Sequence, residues 1–132
     1  MPHAKFVGEI RLPDVWKSPP SLCFSVPEED LHVKFVEAFL GGGERSLLLR
    51  YVVAEGRLTQ TVGYLLAVAD DGWILKLDTA CPTLRSPGVK LLLATVAAWL
   101  ERRGLDVQST TVEAFRVRGA FYAEHSEEGG TI

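Results

Sequence analysis

The sequence predicts an α+β fold: a mainly antiparallel sheet with a meander over residues 46–80, a long apolar helix at 87–103 packed on it, and a shorter helix near 28–40. Three observations predict it. Residues 46–54, 58–69 and 73–80 are apolar, β-branched runs separated by Glu55-Gly56 and Asp70-Asp71-Gly72, as in consecutive hairpins. Residues 86–104 open on Ser-Pro-Gly and close on Arg-Arg-Gly around an apolar run, the start and stop signals of a helix. No repeat, low-complexity stretch or linker divides the 132 residues, so a single domain is expected over 1–132, with a loose polar tail at 126–132.

Each element follows from local chemistry. Residues 5–12, KFVGEIRL, alternate as a strand and end at Pro13; residues 14–20, with Trp16 and a Pro-Pro pair, read as an ordered loop; residues 21–26 make a short strand. At 27–40, Pro27 followed by Glu28, Glu29 and Asp30 resembles a helix first turn. Leu31, Phe35, Val36, Phe39 and Leu40 would then share one helical face, although Leu31, Val33 and Phe35 also alternate as a strand does. Gly63 marks a possible bulge. In the helix at 87–103, Val89, Leu92, Leu93, Val96, Trp99 and Leu100 form one stripe, and Leu91, Ala94, Ala97 and Ala98 keep the opposite side apolar. Such a helix is buried on more than one side, against the sheet or in a homodimer or other protein interface. Residues 107–113 read as a strand, and 114–125 stay open between strand and helix.

Composition bounds the function. A net charge of −3 and a 23% charged fraction argue against nonspecific binding to nucleic acid or anionic membrane. No apolar run approaches a membrane span, and the N-terminal MPHAKFVGEI lacks a signal-peptide core, so a soluble, cytoplasmic protein is expected. Cys23 and Cys81 form no CxxC pair and the three histidines are scattered, so no metal site is expected. Inert thiols are expected at both cysteines, although a helix dipole near Cys81 would activate it. Trp16, Trp73 and Trp99 read as core or interface aromatics.

The junction at 73–104 is the first candidate site. Arg85, the Ser86 hydroxyl, Lys90 and the first-turn N–H groups of Gly88, Val89 and Lys90 are placed to converge on an anion. The run Cys81-Pro82-Thr83-Leu84-Arg85-Ser86-Pro87-Gly88-Val89-Lys90 lies between a strand and an apolar helix, with Arg103-Gly104 and a strand following, and Phe121-Tyr122 further on. It resembles the acyl-CoA loop of the GNAT N-acyltransferase superfamily, which has the pattern Arg/Gln-x-x-Gly-x-Gly/Ala, often with a proline three residues earlier. It departs from that pattern at Lys90, where the family has a small residue. The resemblance implies acetyl-CoA or another acyl-CoA as cofactor, held at Arg85, Ser86, Gly88, Val89 and Lys90. It implies Tyr122 as the acid that protonates the departing thiolate, with Asp78 as general base. A second candidate is residues 115–122: read as a strand, Arg116, Arg118 and Tyr122 share a face that would stack on single-stranded nucleic acid. Glu28, Glu29 and Asp30 are explained as first-turn acids. Since no complete nucleophile, acid–base or metal constellation is visible, a non-catalytic binding or interaction module is expected first. The acyltransferase is the alternative, and nucleic-acid binding the third reading.

Overall fold

The computed structural model describes residues 1–80 and 82–128. Among them eight strands form one antiparallel sheet in the order β7-β1-β6-β5-β4-β3-β2-β8. The strands are β1 (His3–Val7), β2 (Leu22–Val26), β3 (Leu31–Leu40), β4 (Ser46–Glu55), β5 (Leu58–Ala69), β6 (Gly72–Leu77), β7 (Asp106–Thr110) and the two-residue β8 (Glu127–Glu128). Three helices accompany them: α1 (Leu12–Lys17), α2 (Pro87–Glu101) and α3 (Arg116–His125). Strands β2 to β6 follow one another as a meander, and β1 inserts between β6 and β7. Both pairings of β1 are antiparallel, so β6 and β7 run the same way with β1 between them, and α2 is the crossover joining them.

Period-2 patterning builds the core. On β4, Leu47, Leu49, Tyr51 and Val53 are buried; Leu66, Tyr64 and Val62 face the first three of these from β5. Helix α2 lies over this face. Its Ser86 cap accepts a hydrogen bond from the Val89 N–H at 3.3 Å, and Pro87 occupies the first turn. The buried Tyr64 hydroxyl donates to the Val89 carbonyl at 2.6 Å, and that of Tyr51 to the Pro20 carbonyl at 2.7 Å. Burial raises both phenols well above the ordinary tyrosine range, with Tyr51 adding to the effect at Tyr64. The second face of α2 is covered within the chain. Helix α3 packs on it so closely that a Cβ at Gly119 would lie 2.7 Å from the Ala94 carbonyl carbon.

Several expectations are corrected. No helix forms over 28–40. Pro27–Glu29 makes one 3-10 turn, Asp30 takes a left-handed φ of 48°, and Leu31–Leu40 is strand. The misleading periodicity comes from a bulge between Phe35 and Glu37. Leu31, Val33 and Phe35 face α2; after the extra residue Ala38 and Leu40 do, while Val36 and Phe39 emerge on the outer face, 46% and 49% exposed. Gly63 is not a bulge: it pairs in register with Arg50. The first strand ends at Val7, because Gly8 adopts a φ of 124°, and Leu12–Lys17 is a helix where residues 14–20 read as a loop. The third meander strand ends at Leu77, and the strand expected over 107–113 is Asp106–Thr110.

The segment left open at 114–125 is helical from Arg116 onward, so the strand face with Arg116, Arg118 and Tyr122 side by side does not form. Arg116 pairs with Glu101 and Glu113, Arg118 pairs with Glu29, and Tyr122 stacks on Phe24 with ring centroids 4.6 Å apart. The expected loose tail is held as far as Glu128. The Cys23 N–H donates to the Ser126 hydroxyl at 2.7 Å, and β8 pairs with Leu22 and Cys23; residues 129–132 lie outside the described residues. Cys81 lies outside them too, while Cys23 is a partly buried free thiol. Among the described residues no helix is long and apolar enough to cross a membrane.

Candidate functional site

The N-terminus of α2 is already filled by the chain itself. Pro87 has no N–H to offer. The Gly88 N–H donates to Glu55 Oε2 at 3.0 Å, the Val89 N–H to the Ser86 hydroxyl, and the Lys90 N–H to the Ser86 carbonyl at 3.1 Å. Glu55, at the end of β4, therefore stands where an external anion would sit, its charge favoured by the helix dipole. A side chain at residue 88 would meet it: a Cβ there would lie 2.7 Å from Leu31 Cδ1 and 2.8 Å from Glu55 Oε1. Among the described residues that Oε1 is buried without a hydrogen-bond partner, and the carboxylate is held through Oε2 by the Gly88 contact. Glu55→Ala is expected to cost about 1–2 kcal/mol, because it strands the buried Gly88 N–H. Glu55→Gln, which keeps an acceptor, is expected to lose less than half as much, and urea denaturation of the three proteins checks this order.

The other residues of the first candidate site lie apart. The loop before α2 is fixed by Gln60, whose side chain exchanges two hydrogen bonds, both 3.1 Å, with the backbone of Leu84. Arg85 is exposed, Ser86 and Lys90 are half-buried, and Val89 is fully buried. Asp78 follows β6 beside Gly63, on the sheet face turned away from α2, and its carboxylate accepts from the Ala80 N–H at 3.1 Å. Tyr122 stacks against Phe24 on the α2 side. The fold therefore leaves Asp78 and Tyr122 on opposite faces of the sheet.

A different constellation surrounds an open cleft of about 610 Å³ at the other end of α2. Its first wall is the chain from Gly8 to Arg11 with Asp14, Val15 and Ser18 of the α1 segment. Trp73, at the start of β6, forms part of the lining; it pairs with Phe6, and its indole N–H donates to the Gly8 carbonyl at 3.2 Å. Trp99 and Arg103 close the cleft from the C-terminal end of α2. The Arg103 guanidinium lies over the Trp99 ring, 4.3 Å from its centroid, a cation–π contact. Gly104, with a φ of 110°, turns the chain away directly after it.

The lining of this cleft is mixed apolar and charged. Two indoles present flat apolar surface beside Ile10 and Val15. Arg11, Arg103, Glu9 and Asp14 place charges around it, and among the described residues none of the four enters an ion pair. A cation–π contact uses the charge of the guanidinium and none of its five N–H donors. No histidine or cysteine is among the described lining residues, and Ser18 supplies the hydroxyl. Among the described residues no group of three or more His, Cys, Asp or Glu side chains is placed to hold a metal ion.

The expectation of core or interface aromatics holds for Trp73 and Trp99, which are partly buried against the core, but the cleft they line was not foreseen. Two signals pointed to it. Trp99 and Arg103 stand four residues apart on one helix face, and Gly8 interrupts the alternation of residues 5–12. Trp16, the third tryptophan, lies outside the lining; it is 45% exposed and its indole N–H donates to the Ala38 carbonyl at 3.2 Å. No protein-family model, curated protein or solved structure matches this chain.

Proposed function

We propose that this chain is a non-catalytic binding module for a small, flat, largely apolar molecule, and that the Trp73–Trp99 cleft is its site. One observation carries the reading: two indole walls and a stacked guanidinium surround an open space of about 610 Å³, within the size range of small-molecule sites. Helix α2 serves as the scaffold. Packed between the sheet and α3, it carries Trp99 in its last turn, and Arg103 stands in the turn that follows, since the helix ends at Glu101 rather than at 103. Covering α2 requires no second copy of the chain, so the reading takes the monomer as the binding unit.

Titration with planar aromatic fragments, followed by thermal stability, tests this function. A fragment present at 100 times its dissociation constant is expected to add about 2.7 kcal/mol. Trp99→Leu is expected to weaken binding about 30-fold, the loss of an aromatic anchor worth about 2 kcal/mol. CoA and acetyl-CoA are expected to leave the melting temperature unchanged, because Glu55 and Ser86 occupy the helix donors that a pyrophosphate needs. A CoA-dependent rise that Arg85→Ala removes would instead support a CoA site at the start of α2.

A further inference from the structure

We infer that the molecule this cleft takes is a planar aromatic monocarboxylate, its ring system against the indoles of Trp73 and Trp99 and its carboxylate on the edge of the Arg103 guanidinium. The inference rests on the binding reading above and adds the chemical class. The ring follows from the walls. Indole faces reward flat, polarizable surface, and the cleft has room for a bicyclic or tricyclic body with a side group. The acid group follows from Arg103. The guanidinium carbon lies over the Trp99 ring, 4.3 Å from its centroid, which holds the group beside the indole, and a guanidinium fork matches a carboxylate. The neighbouring Glu101 is already engaged by Arg116, so it does not compete for that fork.

The opposite wall sets the charge of the ligand. There Glu9 and Asp14 flank Arg11, and together these three side chains carry one net negative charge. A dianion such as a phosphate monoester meets that wall unfavourably, whereas a single carboxylate is accommodated at Arg103. A cation would be drawn to Glu9 and Asp14 but repelled from the indole wall by the guanidinium already stacked there. Monoanions are therefore preferred over both.

Three probes of one ring system separate the parts of this account: indole, indole-3-acetate and tryptamine, each titrated by calorimetry into the full chain. Indole-3-acetate is expected to bind about tenfold tighter than indole, the factor of a charge-assisted hydrogen bond at an open site, and tryptamine more weakly than indole. Arg103→Ala, an exposed position whose variant is checked for an unchanged far-UV spectrum, should abolish the preference, so that the variant binds indole-3-acetate no tighter than it binds indole. Equal binding of indole and indole-3-acetate by the parent chain, or tightest binding of tryptamine, would overturn the carboxylate assignment and leave the cleft a binding site. Failure of all three probes to bind would overturn both.

Discussion

Gly72→Ala is expected to cost about 3 kcal/mol or more and to disable the cleft with it. A Cβ at residue 72 would lie 2.0 Å from the Phe6 carbonyl oxygen and 3.1 Å from its carbon. These are backbone atoms in the middle of the sheet, so no rotamer change relieves the overlap. Relief requires β1 and β6 to separate where Phe6 faces Trp73. That pair positions the Trp73 ring, and the chain just past β1 supplies the Gly8 carbonyl that holds its indole N–H. The variant should therefore lose fragment binding even at temperatures where it is still folded. Gly42→Ala is the control: nothing lies within 4 Å of a Cβ there, so its stability should stay within about 0.5 kcal/mol of the parent. Urea denaturation of the three proteins measures the difference.

Gly119→Val is expected to cost about 2–3 kcal/mol by prising α3 from α2. The added Cβ would stand 2.7 Å from the Ala94 carbonyl carbon, 2.8 Å from its oxygen and 2.9 Å from the Thr95 nitrogen. Replacing a helical glycine ordinarily gains a fraction of a kcal/mol in propensity, and contact with fixed backbone outweighs that gain. The loss should spread along the helix, because Tyr122 would leave Phe24 and Arg118 would leave Glu29. Hydrogen exchange should accelerate over Arg116–His125 first, with the amides of β4 and β5 still protected. A variant as stable as the parent would contradict the close packing of the two helices.

Local chemistry made much of this fold legible. The turns at Gly56 and at Asp70-Asp71, with the Ser86–Pro87 helix start, are written in residues whose preferences act within a few positions. Residues 28–40 misled for a definable reason. One bulged residue at Val36 shifts the alternation by a position, and two half-strands of opposite parity then imitate a helical stripe. Residues 114–125 stayed open because a short helix whose one buried residue is Gly119 carries little periodic signal. The apolar second face of α2 pointed equally to α3 or to a second subunit, since both bury the same side chains.

The candidate sites divide on the same line. The motif at 81–90 displayed its donors in sequence, but the acceptor of the Gly88 N–H, Glu55, lies 33 residues away at the end of β4. Nothing local announces that a helix start is filled from a distance. The cleft is the converse case. Gly8, Trp73, Trp99 and Arg103 come together because β1 pairs with β6 and the far end of α2 reaches them. Only the Trp99–Arg103 spacing and the Gly8 interruption were visible beforehand.

The location of the ligand tests the central claim most directly, and the three tryptophans are built-in reporters of it. Each indole N–H gives its own signal in a 1H–15N spectrum of the full chain, and single Trp→Phe variants assign them. On titration with indole-3-acetate, the Trp73 and Trp99 signals are expected to shift together along one saturating curve while Trp16, outside the cleft, stays in place. Movement of the Trp16 signal alone, or no movement at saturating ligand, would contradict the cleft as the binding site.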